Sequence, residues 1–535
     1  MRPLPNNLLR AEPPSGGTDK KAASSPAPPP GWIPDGERWF HQHRDRLWMA
    51  GRALDGREPG RQDPAEFHDA TTRILFCRLS PYEDVRPSLS HRMLYWAARQ
   101  IPGVYADLAF FPTAHDAAFL KKHRVPFWLA SGCKQPPSAF DILAITLSVA
   151  QEAFNLPAAL RDSGLQWSRE ARQSDPAHPL VLLGGQGAGT VPFLHDMIDA
   201  VVLGDGIGWL QTLLQSFDPT TRRSLPVSLQ TQPGGYIPSH YRHDYEQGLL
   251  KKITPLHPDT PYPVRFRSEE SSTWIDGYDG AYIPFCQEDA EETLPLAFGC
   301  VYRCRFCQTG WTRKGLDAAA RDDLRRAALR LKTAMAASDL NLLASDACSV
   351  PDLDGIVRDL LPLFPKVSLK SLAITSLLRE PGAVNLLDKR EFAFGLEGIS
   401  RRLRAYLGKN LDIEDLIAIV RSRGDSLFRQ IKLFFIATGL ETEDDMEELH
   451  TFLRDLQAAT PGCRKIASFM PLFHAPFTPL QFEAFRPLTA DLRRELESAV
   501  EHTDTEFRWS ASPDEIALMN RLCRAGRDAA PLLIN

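Results

Sequence analysis

The stretch FGCVYRCRFCQTGW, residues 298–311, places Cys300, Cys304 and Cys307 within eight positions of a 535-residue chain that has nine cysteines in all. Three thiols at this spacing read as one ligand set. A closed structural zinc site takes four nitrogen or sulfur ligands, usually as two separated pairs. This stretch supplies no fourth cysteine and no histidine, and Cys348 or His474 could reach it only through the fold. An iron–sulfur cluster held by three thiolates leaves one iron open to a small molecule. The spacing therefore favours a catalytic iron–sulfur centre over structural zinc or idle thiols. Cys77, Cys133, Cys286, Cys348, Cys463 and Cys523 are scattered, and read as buried or unreactive thiols of a reducing compartment.

Outward from this loop, strands and helices alternate on both sides. TLPLAFG leads into the cysteines, and LNLLASD, VSLKSLAIT, FAFGLEG, IKLFFIATG and KIASFMPLF follow, spaced by helical segments. Six strand–helix units over 286–484 predict a partial (β/α)6 barrel, whose functional residues gather at the strands' C-terminal ends. The segment 485–535, with ADLRRELESAVEHT and PDEIALMNRLCRAG, reads as a C-terminal helical region. Upstream, TRILFCRLS, YADLAFFP, DILAITLS, PLVLLGGQGAG and IDAVVLGDG are apolar strand-like runs separated by amphipathic helices. Over 72–217 they predict a doubly wound, Rossmann-like parallel sheet. Its ligands are expected beyond the carboxyl ends of the strands, at LSP, LSVAQ, GGQGAGT and GDG. The fold class is α/β. Residues 218–285 read as an irregular connector with short hairpins, 31–71 as an N-terminal helical extension, and 1–30 as a disordered tail rich in Pro, Ser, Gly and Ala.

Hydrophobic residues make up 43% of the chain and charged residues 24%, with a formal charge of −5. Such a mild charge points away from nucleic acid and anionic membranes. No run approaches the roughly 18 apolar residues of a bilayer span, and the N-terminus lacks a signal-peptide core. A cytoplasmic location is expected.

CxxxCxxC after Gly299, with aromatic Phe306 before the last cysteine, resembles the signature of the radical S-adenosylmethionine (SAM) superfamily. The resemblance implies a 4Fe–4S cluster on the loop after the first barrel strand, ligated by Cys300, Cys304 and Cys307, whose free iron binds the amino and carboxylate groups of SAM. It extends to NLLASD, where Ser345 and Asp346 are implied near SAM. In FGLEGISRRLRAYLGKN, Glu397 and Ser400 are implied to hydrogen-bond SAM and Arg404 to pair with its carboxylate. The N-terminal sheet resembles the cobalamin-binding domain that precedes this barrel in one large subgroup. There LGGQGAGT and FLHDMIDAVVLGDG imply that Gly184, Gly185, Gln186, Gly187, Gly204, Asp205 and Gly206 line the cofactor site, joined by Ser148 and Gln151 of SVAQEAFN. The Asp-x-His-x-x-Gly motif of other cobalamin proteins is absent, so Arg73, Arg78 or Leu79 is expected below the cobalt.

The layout is similar to that of the tryptophan C2-methyltransferases of thiopeptide biosynthesis. The resemblance implies methylation of an unreactive carbon of a small molecule, such as an aromatic amino acid, with the methyl group passing from SAM through methylcobalamin. Tyr302, Trp311 and His474 would face the cavity and contact the substrate or move its proton, with plain packing as the alternative role. An external electron donor such as a ferredoxin or flavodoxin is implied. The alternatives are a cobalamin-dependent rearrangement or ring contraction, and a non-catalytic cobalamin- and SAM-binding protein. A methylthiotransferase would carry a second cysteine trio in its N-terminal domain, and this sequence has none.

Overall fold

The computed structural model describes residues 35–529 apart from 57–59, 86–87, 176–177, 222–224, 226, 247–248, 277–290, 314, 336, 370–372, 375–386, 388–389, 410, 424–427 and 528. The tail expected over 1–30 and Cys286 lie outside the described residues. The chain forms two units, 35–269 with 521–529 and 289–520 with Glu270–Ile275.

In the first unit β1 (Thr72–Arg78), β2 (Val104–Ala109), β3 (Ile142–Thr146), β4 (Leu180–Gly184), β5 (Ala200–Val202) and β6 (Gly235–Tyr236) form one sheet in the order β2-β1-β3-β4-β5-β6. The first five strands are parallel, and β6 pairs antiparallel with β5. Six of the seven β1 residues and all six of β2 are buried. Both faces must therefore be covered, which is why these strands read as continuous apolar runs. One face, with Ile74, Phe76, Leu108, Ile142 and Leu182, packs with Tyr95 and Ala98 of the helix Leu89–Arg99 and with Leu210, Leu213 and Leu214 of the helix Ile207–Ser216. Because β1 lies between β2 and β3, the strand order reverses there. The C-terminal ends of β1 and β3 form the switch point where such sheets open a crevice.

The N-terminal extension holds three short helices, Gly36–His43, Met49–Asp55 and Glu66–Asp69. Asp116, near the start of the helix Ala114–His123, is fully buried and fixes the second of them. Its carboxylate accepts the Trp48 amide at 2.8 Å, the Ala50 amide at 3.0 Å and the Thr113 hydroxyl at 3.0 Å. Within the connector, β7 (Tyr241–Glu246) and β8 (Leu249–Pro255) make the expected hairpin.

The second unit carries β9 (Glu291–Pro295), a small antiparallel pair β10 (Ala297–Gly299) and β11 (Leu316–Ala318), then β12 (Asp339–Leu343), β13 (Lys366–Leu369), β14 (Glu391–Glu397), β15 (Gln430–Ala437), β16 (Arg464–Pro471) and β17 (Thr505–Trp509). Apart from β10 and β11 these strands pair in parallel, as β13-β12-β9 and β14-β15-β16-β17. Six of them fall on the runs the sequence marks. β17 is a seventh, inside the segment read as helical, and two helices, Ala490–Val500 and Pro513–Ala525, flank it. Its residues are half-buried or exposed in alternation, the pattern of an edge strand. Among the described residues no helix is long and apolar enough to cross a membrane.

Asp116→Ala strands two buried amide donors, a loss of about 2 kcal/mol. Hydrogen exchange over 49–55 should accelerate while exchange over β1–β3 stays slow. Unchanged protection of 49–55 would show that Asp116 is not the anchor.

Candidate active site

At the end of β10, Gly299 has φ +82°, and a Cβ there would lie 1.8 Å from the Gly315 carbonyl oxygen. Only glycine fits this approach, and it turns the chain into the cysteine loop. Cys300, Cys304 and Cys307 are free thiols, Cys304 buried and the other two half-buried. The loop is braced from inside by the Cys307 amide on the Cys304 carbonyl (3.2 Å), the Trp311 indole N–H on the same carbonyl (2.9 Å) and the Tyr302 amide on Cys300 Sγ (3.5 Å). Arg305 fastens it to the helix after β14 and to the loop after β16. Its amide donates to the Leu407 carbonyl at 2.8 Å, its guanidinium donates to the Tyr406 carbonyl at 2.9 Å, and its own carbonyl accepts the Leu480 amide at 3.3 Å. Phe306 packs against Leu407, Ile436, Leu472 and Leu480.

Burial pushes the Cys300 thiol up and the Cys304 thiol up to about 11, while the Lys409 ammonium pulls both down. The carboxylate of Glu397 adds to the upward push on Cys304, and that of Asp346 to the push on Cys300. Without a metal these two thiols are protonated at neutral pH, and binding one must release their protons. Among the described residues no three Cys, His, Asp or Glu side chains are gathered tightly enough to hold a single metal ion. Three thiols on one loop are donors of the type that iron–sulfur proteins use.

Glu397 closes β14 in the left-handed region, φ +67°, where the β14–β15 register slips between Gly395 and Glu397. A non-glycine residue in this region is uncommon, and Arg124, Lys134, Asp352, Phe477 and His502 share it here. Burial raises its carboxyl above the usual carboxylate range, and Lys409, with Nζ 3.6 Å from Oε1, pulls it back. The carboxylate folds over Gly395, where a Cβ would sit 2.3 Å from Oε1 and 3.7 Å from Lys409 Nζ.

The other predicted SAM residues differ in how far their polar atoms are taken. Asp346 is buried, accepting the Ser349 hydroxyl at 2.6 Å and the Ala373 amide at 3.1 Å, and Ser345 beside it is exposed. Ser400 caps the helix Arg401–Tyr406 by accepting the Leu403 amide at 3.2 Å, and its hydroxyl donates to Asp445. Arg404, buried, donates to Glu448 at 3.1 Å and to the Leu411 carbonyl at 3.2 Å. Its Nη1 is buried with no hydrogen-bond partner among the described residues. His474 is buried in the loop after β16, with Nδ1 2.9 Å from the Leu480 carbonyl. Tyr302 and Trp311 belong to the cysteine loop itself, with the Arg303 guanidinium over the exposed Trp311 ring. Lys409 and Arg305 are site residues that sequence reading passes over. Lys409 closes the quoted LGKN run, and Arg305 lies between two of the cysteines.

In the first unit, Arg78 ends β1 at the switch point with its side chain buried. It donates to the Ser148 hydroxyl at 2.8 Å and the Ser90 hydroxyl at 3.1 Å, and lies 3.8 Å from Glu152. Glu152 also accepts the Ser148 amide at 2.6 Å. Gln151 is half-buried beside this network, Val149 is exposed, and Leu79 is fully buried. Arg73 lies near the other end of β1, donating to the Phe67 carbonyl at 2.8 Å, and so is not at the switch point. Of the glycine loop, Gly184 is open, and Gln186 is exposed. Gly185 has φ +97°, and a Cβ there would meet the Leu147 carbonyl oxygen at 2.4 Å. Gly187 donates to that same carbonyl at 3.0 Å. The Gly204–Gly206 turn is packed under the connector. Its Asp205 amide donates to the Arg267 carbonyl at 3.0 Å and its carboxylate accepts the Glu269 amide at 2.8 Å. Gly204 pairs with Arg267 as well, and Gly206 starts the helix Ile207–Ser216. Two clusters thus result: Ser148, Gln151 and the Gly184–Gly187 loop at the switch point, and Gly204–Gly206 against the connector.

Residues 90–238 match the family described as Radical SAM proteins, N-terminal. No curated protein matches the sequence. Similar solved structures include the radical S-adenosylmethionine methyltransferase TsrM from Kitasatospora setae with cobalamin and a 4Fe–4S cluster bound, at 15% identity and TM-score 0.49 over 77% of each chain. The cobalamin-dependent S-adenosylmethionine radical enzyme OxsB with aqua-cobalamin bound is 14% identical, at TM-score 0.45 over 72% of this chain and 52% of that one. Streptococcus suis SuiB bound to S-adenosylmethionine is 15% identical, at TM-score 0.30 over 42% and 51%. At such identities the likeness concerns fold alone.

Two measurements check this site. Anaerobically reconstituted protein should hold about four irons per chain, with Cys304→Ala losing most of them and Cys133→Ala none. Equal loss in both variants, or zinc in place of iron, would remove the cluster reading. The Ser400 cap is testable by pH. Burial pushes the Asp445 carboxyl up, but Arg402, Ser400 and Thr442 outweigh it and hold it at about 2, below its ordinary 3.8. A lowered carboxyl contributes stability above its unfolded value and loses it as pH falls through the folded one. Asp445→Asn should therefore lower the melting temperature at pH 6 and make little difference by pH 2. An equal deficit at both would contradict the assignment.

Proposed function

We propose that the chain is a cobalamin-dependent radical SAM C-methyltransferase acting on an unreactive carbon of a small molecule, for example an aromatic amino acid such as tryptophan. One observation carries the reading. Three free thiols on a single loop share their electrostatic surroundings with the strained Glu397 and with Lys409 at the C-terminal ends of the barrel strands. The match of residues 90–238 to the N-terminal region of radical SAM proteins supports it.

Cys300, Cys304 and Cys307 would hold the cluster, with Arg305 keeping their loop against the barrel. Arg404 presents the orphaned Nη1, a donor of the kind a carboxylate satisfies. Glu397 and Asp346 supply carboxylates beside the thiols for the polar groups of SAM, and the Ser400 cap fixes the helix that carries Arg404. When bound, the cluster and SAM supply reductive or methyl-donating chemistry, and cobalamin supplies a methyl carrier. The division we propose gives the corrinoid to 72–217, near Ser148, Gln151 and Gly184–Gly187, and gives the cluster and SAM to 286–484. Tyr302, Trp311 and His474 are then the candidates for substrate contact. A ferredoxin or flavodoxin would supply electrons. The eight cysteines among the described residues are all free, which suits the cytoplasm.

Anaerobic enzyme loaded with cobalamin and given methyl-labelled SAM and tryptophan should yield a product heavier by one labelled methyl group. Glu397→Ala should slow this about 100-fold by misplacing SAM. A corrinoid-dependent product of unchanged mass would replace methylation with rearrangement. Failure of the wild type to retain a corrinoid on gel filtration would remove the cobalamin half.

A further inference from the structure

β15 is apolar except at Gln430, its first residue, and Lys432, which share one face. Along QIKLFFIA, Ile431, Leu433 and Phe435 are almost wholly buried, as are Phe392 and Phe394 of the neighbouring β14. The opposite face of the same strands carries Lys432 and Phe434, both only half-buried. Register places Ala393 beside Lys432, and Gly395 and Ser468 on either side of Phe434. A packed barrel interior would fill this face with bulky branched residues. Here the side chains flanking the lysine and the phenylalanine on β14 are a methyl group and a hydrogen.

Lys432 Nζ lies 4.7 Å from the centroid of the Phe434 ring. Among the described residues it has no hydrogen bond and no ion pair. Its ammonium rests on the Phe434 ring and keeps some exposure, which leaves its charge available to an anionic ligand. The same face leads to the candidate active site, since the Glu397 carboxylate and Lys409 Nζ lie over Gly395, beside Phe434. Lys432 is two residues further from the strand's C-terminal end, roughly 7 Å at the usual rise.

We propose that Lys432 and Phe434 form the binding site for the carboxylate end of the substrate, Phe434 giving a flat wall for an aromatic or other planar group and Lys432 the counter-charge. The substrate class is therefore a planar carboxylic acid about the size of an amino acid, its far end reaching toward Glu397 and the cysteine loop. This rests on reading the second unit as the barrel that holds cluster and SAM.

The test uses full-length reconstituted protein titrated calorimetrically with indole-3-propionate and with its neutral amide. The wild type should bind the acid at least about tenfold more tightly, the worth of one charge-assisted hydrogen bond. Lys432→Gln should erase the difference and Lys432→Arg should keep it. Equal binding of acid and amide by the wild type, or no binding of the acid, overturns the proposal. SAM affinity should be unchanged in Lys432→Gln, and its loss would assign the lysine to the carboxylate of SAM and overturn the substrate site. Iron content of the same preparations separates the two readings. Protein that takes up no iron yet still prefers the acid would defeat the cluster assignment and leave the carboxylate site standing.

Discussion

Burial opposes ionisation of Cys300 and Cys304 on the loop that follows β10. Cys300 and Cys304 are pushed toward the protonated form by their surroundings, with Lys409 the cation that pulls the other way. A cationic cluster tips that balance, because thiolate is the form it binds. The loop itself is held by packing and hydrogen bonds. Gly299 allows the close approach to Gly315 that starts it, Arg305 and Phe306 fix its far side to the helix after Glu397 and to the loop after β16, and Glu397 is held in a strained conformation above Gly395.

The first unit solves a different problem with similar means. Its strand ends meet at a switch point, where a buried arginine lies beside Glu152 and donates to serines from two segments, Ser88 and Ser90 of one and Ser148 of the other. The carboxylate offsets part of the cost of burying the arginine, although its Nε has no hydrogen-bond partner among the described residues. Ser148 is half-buried in that network, with Val149 beside it and Gln186 of the glycine loop both exposed.

Much of this was legible in the sequence, for identifiable reasons. The five parallel strands of the first sheet are buried on both faces, so their runs are apolar without alternation and stand out. The cysteine loop is read from spacing alone. β17 was hidden because an edge strand with exposed Glu506 and Arg508 lacks an apolar run. Glycine in GGQGAG and GDG suggested room for a ligand, whereas Gly185 gives its space to the Leu147 carbonyl and Gly204 pairs with Arg267. Substituting Gly185 would thus strike the sheet itself before any cofactor. Arg78's partners, Lys409's place by the thiols and the positive φ of Glu397 depend on contacts between distant segments, which no local pattern encodes.

In the proposed site, three thiolates leave one iron of the cluster open to SAM. Mössbauer spectroscopy of protein reconstituted with 57Fe, recorded before and after SAM is added, tests it directly. The account predicts that about one quarter of the iron signal shifts and the remainder stays in place. A spectrum that SAM leaves unchanged, or one in which all the iron shifts alike, would contradict it.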